Sequence, residues 1–354
     1  MTSPTIADLT TLRLGGPARE FVEAADTDAL IAALDRFADA GERVLVIGGG
    51  SNLVVADAGF DGAVVRIASS GVEFSTVDGR PVVTADAGVE WDALVARTVA
   101  EGYGGLECLS GIPGSTGATP VQNVGAYGVE IADVLREVEV YDRRSRTLER
   151  VAPADLDLRY RHSNLKHRDE RIVTRVSLWL RPGGESAPLA YRELARALGR
   201  AEGQTADAAR VRETVVGLRR SKGMVLDADD PDTYSAGSFF TNPIVSATEA
   251  AAVLAQIAVV VGPDVVIPQF PAGDDGTDTK LSAGWLIERA GFAKGYPGAD
   301  APVRLSTKHT LALTNRGSAS TADLIALARD VRDGVRARFG VTLTPEPVFV
   351  NCRL

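Results

Sequence analysis

The stretch Val44-Leu45-Val46-Ile47-Gly48-Gly49-Gly50-Ser51-Asn52-Leu53-Val54-Val55 decides which fold this chain can adopt. Val44 to Ile47 reads as a short apolar strand. Leu53 to Val55 and Ala63 to Ile67 read as strands again after the glycines. A GxGxxG dinucleotide fingerprint opens a helix, whereas this loop joins strand to strand. The Rossmann arrangement is therefore disfavoured. Just upstream, Thr27 to Ala40 carries Leu30, Ile31, Leu34 and Phe37 at helical spacing, with Asp26 or Thr27 as the cap and Gly41 as the stop.

A second glycine-rich stretch, GIPGSTGATPVQNVGAYG (111–128), lacks any clear period. Glycines let backbone N–H groups converge on an anion without Cβ clashes. Ser115, Thr116, Gln122 and Asn123 add polar partners. A tight strand connection would explain the first loop alone, and a long surface loop the second. Aperiodic loops of this length are uncommon in compact domains unless functional, and two of them point to a diphosphate-bearing cofactor.

The 354 residues predict two or three domains, and 45% hydrophobic with 24% charged residues is ordinary for a globular chain. The net charge of −9 comes without the basic footprint of a nucleic-acid binder. Cys108 and Cys352 form no CxxC pattern, as expected in a reducing compartment. MTSPTIADLT has no basic or apolar leader pattern, and Ala250 to Val261 is too short to span a bilayer. A cytoplasmic protein is the expectation.

Further helices are expected at Glu90 to Ala100, Tyr191 to Leu198, Ala208 to Arg220, Thr248 to Ile257, Ala283 to Ala290 and Thr321 to Phe339. Ser320 or Thr321 caps the last of these and Gly340 ends it. Strands are expected at Val82 to Ala85, Val138 to Tyr141, Ile172 to Leu180, Lys308 to Leu313 and Val341 to Leu343, giving an α+β chain. There is no GK dipeptide, HExxH, GxSxG or zinc-type Cys/His cluster, so P-loop, metal and α/β-hydrolase chemistries recede and no metal site is expected.

IGGGSNLVV (47–55), GLECLSGIPGSTGATPVQNVGAYGVE (105–130), LRYRHSNLK (158–166), AGSFFTNP (236–243), KLSAGWLIE (280–288) and LTPEP (343–347) occur in that order. Together they resemble the UDP-N-acetylenolpyruvoylglucosamine reductase family, across essentially the whole chain. The resemblance implies a two-subdomain FAD-binding domain of the vanillyl-alcohol-oxidase type, residues 1–70 and 71–212. It also implies an α+β substrate-binding domain, residues 213–340, and a C-terminal segment, 341–354, that returns to the active site. The implied activity is NADPH-dependent reduction of UDP-N-acetylglucosamine enolpyruvate to UDP-N-acetylmuramate by a monomer with non-covalent FAD, in peptidoglycan precursor synthesis. Hydride reaches C3 of the enolpyruvyl ether and a proton reaches C2, so charge must be stabilised beside C2.

By the same resemblance, Arg161 polarises the substrate carboxylate, Ser238 supplies the proton and Glu346 orients the carboxyl region. Cofactor contacts fall on Gly48, Gly49, Gly50, Ser51, Asn52 and Leu53. In the second loop they fall on Ile112, Pro113, Gly114, Ser115, Gly117, Ala118, Gln122, Asn123, Gly125, Ala126 and Tyr127. Tyr191, Arg219, Lys222, Asn242, Lys280 and His309 are the substrate-binding candidates, and Tyr191 marks the longer branch of the family. Val348 and Phe270 replace an arginine and a tyrosine often found there, and Asp274 to Thr277 lengthens a loop. The alternatives are another flavin oxidase of this fold, which often attaches FAD through His or Cys, and a non-catalytic nucleotide-binding module. Neither loop carries a histidine, although Cys108 lies just before the second.

Overall fold

The computed structural model describes residues 4–273 and 276–354. Met1 to Ser3, and Asp274 and Asp275 of the lengthened loop, lie outside the described residues. Packing divides the chain into two units. The first comprises residues 17–50 and 60–225, and the second residues 5–16, 51–59 and 226–354. The chain therefore changes unit inside the first glycine loop, between Gly50 and Ser51.

In the first unit, Ala18–Ala24 and Val44–Ile47 flank Phe60–Ile67 in a parallel three-stranded sheet. The helix Thr27–Asp39 supplies the crossover that parallel strands need. Asp26 caps it by accepting the Ala29 N–H at 2.7 Å. Leu30, Ala33, Leu34 and Phe37 recur at helical spacing and are buried. A second, antiparallel sheet runs Thr147–Val151, Leu135–Asp142, Arg171–Trp179, Arg80–Asp86, Val72–Val77. Trp91, Leu94, Val138, Val140, Val176 and Val215 join one core with the helix faces.

Ala18–Ala24 and Thr147–Val151 are absent from the sequence-based reading. Both are edge strands with charged, outward-facing side chains. In Ala18–Ala24, Glu20 and Glu23 pair with Arg36 and Arg66, so charge masks the apolar alternation.

In the second unit, Ile244–Val245, Asp278–Leu281 and Gln269–Ala272 form a small antiparallel sheet. Leu53–Val55 pairs in parallel with Val348–Val350. Around them lie Ala247–Val261, Ala283–Arg289 and Thr321–Phe339. The last helix buries Leu324, Ala328, Val331, Val335 and Phe339. Its N-terminal N–H groups are met twice over. Asp57 accepts from Thr321 at 2.7 Å and from Ala322 at 3.2 Å, and Ser320 Oγ accepts from Asp323 at 3.1 Å. Gly340 ends it with φ of 73°.

Two expected strands are corrected. Of Lys308 to Leu313 only Leu313 is in a strand; residues 308–312 lie in the connection of a hairpin between Val303–Leu305 and Leu313–Asn315. Ser306 Oγ accepts the N–H groups of Lys308 and His309 there and diverts the backbone from a ladder. Val341 to Leu343 forms no strand, although both end side chains are buried; the paired strand is Val348–Val350. The helix Ala208–Ser221 also runs unbroken through the expected boundary at 212 and packs with the first unit. No helix among the described residues is long and apolar enough to cross a membrane.

Asp57→Ala should destabilise the second unit by about 1–2 kcal/mol and Ser320→Ala by about 1 kcal/mol, through loss of helix caps. Urea-unfolding midpoints test this; an unchanged midpoint for Asp57→Ala would show that the 51–59 segment does not anchor the helix.

Candidate functional site

Within the first unit, the two glycine loops meet backbone to backbone. A Cβ at Gly49 would stand 2.6 Å from Gly114 Cα and 3.0 Å from Ser115 N, and one at Gly48 would run into Ser115 Oγ. These glycines are thus required by the approach of one loop to the other as well as by any ligand. The second loop is pinned from below. Trp91 N–H donates to Gly114 O at 3.0 Å, Thr116 N–H to Val89 O at 2.7 Å and Gly117 N–H to Ala87 O at 2.9 Å. Gly117 has no room for a Cβ against Ala87.

At the start of the loop, Asp92 accepts the Gly111 N–H at 2.6 Å and a two-point contact from Arg212 at 2.5 and 2.9 Å. Burial raises the Asp92 carboxyl, but these donors outweigh it and hold it below the usual carboxylate range. Glu107 is fully buried, and burial pushes its carboxyl up although Gly105 and Ala187 N–H groups donate to it. Beside it, burial pushes the Cys108 thiol up to about 12. A thiol so disfavoured as thiolate is a poor candidate for covalent cofactor attachment.

Arg161 sits at the tip of a tight turn closed by Arg159 and His162, with φ of 55°. Its Nη2 donates to Gly125 O at 2.6 Å and Nη1 to Asn123 O at 3.5 Å. The arginine is therefore brought to the second loop. Asn123, read from the sequence as a cofactor contact, uses its amide inside the loop: Nδ2 donates to Glu130 Oε2 and Arg159 O, and Oδ1 accepts from Ala132. Gln122, Ile112, Pro113 and Ala126 are half-buried in the same loop, and Ala118 is exposed.

Three substrate candidates also converge here. Tyr127 packs edge-on to Tyr191, ring centroids 5.3 Å apart. Lys222 pairs with Glu193 at 2.9 Å. Burial opposes its charge, but that ion pair and the tyrosines prevail and raise it. Arg219 lies along Gly111 and donates from Nη2 to Met224 O at 2.8 Å. Burial pulls its guanidinium down to about 10, and its Nε is buried without a hydrogen-bond partner among the described residues.

The second unit holds the other catalytic candidates. Gly237, with φ of 73°, turns the chain into Ser238, which is half-buried. Glu346 N–H donates to Phe239 O at 2.9 Å and Thr241 N–H to Thr344 O at 3.0 Å, so the Ser238 segment and the Pro-Glu-Pro corner run side by side. Asn52 Nδ2 donates to Glu346 O at 3.3 Å, and Val348 N–H to Asn52 O at 2.9 Å. Ser51 and Leu53 lie in this same segment. Asn242 Oδ1 accepts from Ala283 N–H at 3.0 Å, at the start of a helix. Lys280 lies in the central strand of the small sheet, opposite Ile244 and the half-exposed Phe270. His309 lies in the hairpin turn. Among the described residues no cluster of three or more His, Cys, Asp or Glu could hold a metal. Sequence reasoning missed Asp92 with Arg212, which no short-range pattern links to the loop, and gave no role to Glu130, although it ends the 105–130 motif.

Residues 229–350 match the model for the C-terminal domain of UDP-N-acetylenolpyruvoylglucosamine reductase, and residues 18–150 match an FAD binding domain. The chain is 61% identical to the UDP-N-acetylenolpyruvoylglucosamine reductase of Saccharopolyspora erythraea, over 99% of this chain and 97% of the relative. It is 60% identical to that of Nocardia farcinica, over 99% and 89%. A solved UDP-N-acetylenolpyruvylglucosamine reductase from Thermus caldophilus superposes with a TM-score of 0.64 at 27% identity, covering 98% of this chain and 97% of that one.

The loop contact predicts different outcomes for its two glycines. Gly49→Ala forces backbone apart and should lower stability by about 1–3 kcal/mol. Gly48→Ala meets chiefly a hydroxyl, so Ser115→Ala should recover most of its loss. Thermal midpoints of the single and double variants check this, and equal rescue of both would refute it.

Proposed function

We propose, for a chain that belongs to the UDP-N-acetylenolpyruvoylglucosamine reductase family, reduction of UDP-N-acetylglucosamine enolpyruvate to UDP-N-acetylmuramate with NADPH and bound FAD. Near-full-length identity to reductases of that name carries this reading. The reaction belongs to peptidoglycan precursor synthesis, and so to cell-wall biogenesis, cell shape and division.

The residues present fit a diphosphate-bearing cofactor. The Gly49–Gly114 approach brings two glycine-rich backbones side by side, with left-handed turns at Gly50, Gly111 and Gly114, the kind of backbone that can turn N–H groups toward a phosphate. When bound, FAD supplies the hydride chemistry that no protein side chain offers. The buried Cys108 favours non-covalent retention over the attachment used by some oxidases of this fold.

In this reading Arg161 holds the substrate carboxylate as negative charge develops beside C2, a charge-assisted interaction contributing about 1.5–3 kcal/mol. Ser238 hands a proton to C2. A serine is a weak acid, so the step depends on the strong basicity of the acceptor carbon. Glu346, fixed between two prolines, orients the carboxyl region. Arg219, Lys222 and Tyr191 receive the diphosphate and sugar, and Lys222 must then exchange Glu193 for phosphate. Asn242, Lys280 and His309 complete the substrate contacts. The same reading has the protein acting as a cytoplasmic monomer on a small-molecule substrate, without nucleic acid or membrane.

Purified protein should be yellow and should oxidise NADPH only when the enolpyruvyl substrate is added; colourless protein or no substrate dependence would refute the reading. Ser238→Ala should keep flavin reduction by NADPH near the parental rate while flavin reoxidation by substrate falls about 10²–10⁴-fold. Equal loss of both half-reactions, followed by rapid mixing, would remove Ser238 from the proton step.

A further inference from the structure

We infer that Glu130 is the positioning residue for Arg161, a role that rests on the reductase reading above. Glu130 faces Gly125 across the short hairpin Gly125–Ala126 and Val129–Glu130. Its side chain folds back over that glycine: a Cβ at Gly125 would stand 2.7 Å from Glu130 Cγ and 3.0 Å from Arg161 Nη1. One carboxylate oxygen accepts Asn123 Nδ2 at 2.7 Å, and the other stands 3.8 Å from Arg161 Nη1. The guanidinium in turn donates to the carbonyls of Gly125 and Asn123. Carboxylate, amide and guanidinium thus meet around the Gly125 backbone.

Three non-glycine residues of this set and its loop lie in the left-handed region: Asn123 at φ 44°, Tyr127 at 50° and Arg161 at 55°. Such a conformation persists only where its surroundings over-determine it. Glu130 is one of the groups that does so here. Its own backbone is fixed by donation to Asp133 at 2.8 Å. At 3.8 Å the partly exposed ion pair is too long for a direct hydrogen bond. The hydrogen bond to Asn123 carries most of the restraint, and it sets the plane from which Arg161 addresses a carboxylate.

The test uses the full-length holoenzyme. Glu130→Ala should retain flavin and its reduction by NADPH, while flavin reoxidation by the enolpyruvyl substrate slows about 10–100-fold. Glu130→Gln keeps an acceptor for Asn123 and should return that rate to within about threefold of the parent. A parental reoxidation rate in Glu130→Ala, no rescue by glutamine, or parallel loss of flavin and both half-reactions would overturn the role. A substrate-free readout separates this from failure of the reductase reading. In arginine-labelled protein, the Arg161 Nε–H signal (assigned through Arg161→Lys) should move in Glu130→Ala and stay in Glu130→Gln. An unmoved signal overturns the inference whatever the enzyme catalyses.

Discussion

Gly49 rests its backbone on Gly114 and Ser115 with no side chain between them, and the candidate cofactor site inherits its geometry from that contact. Side-chain packing can relax by rotamer changes, whereas main chain against main chain cannot. The second loop is further tied to Ala87, Val89 and Trp91, where Arg80–Asp86 gives way to the helix Trp91–Ala100. The backbone of both loops is therefore held by contacts of the protein's own main chain.

The polar residues around these loops divide by what they touch. Asp92, Arg212 and Glu107 hold backbone in place. Asn123 accepts from the Ala132 N–H and donates to Glu130 and to Arg159 O. Arg161 bridges the two roles, bound to loop carbonyls while carrying a charge that the proposed chemistry uses. Tyr127 and Tyr191 join the loop to the Lys222 and Arg219 side of the unit. Fixing the second glycine loop and fixing these two candidate substrate-binding cations are then parts of one packing problem.

Much of the fold was legible where one local signal dominated. Thr321–Phe339 announced itself by its stripe, its Ser320 cap and its Gly340 stop. The strand-to-strand nature of the first loop was equally plain from Leu53–Val55. Legibility failed where the deciding interaction was remote or side-chain to backbone. Ala18–Ala24 hid behind its exposed charges, and Ser306 turned an apolar run into a hairpin bend. The candidate site followed the same rule. Contiguous motifs marked the loops, but the Asp92–Arg212 clamp and the Glu130–Asn123–Arg161 set exist only once distant segments meet.

The parallel pairing of Leu53–Val55 with Val348–Val350 has a consequence for synthesis on the ribosome. The early strand can find its partner only after residues 348–350 have been made, and contacts so remote in sequence are slow to form. The second unit cannot be completed as the chain emerges, and no single cut would release it as one piece. Until residues 348–350 are made, the 53–55 segment lacks its native strand partner, a state in which exposed segments are prone to misassociation.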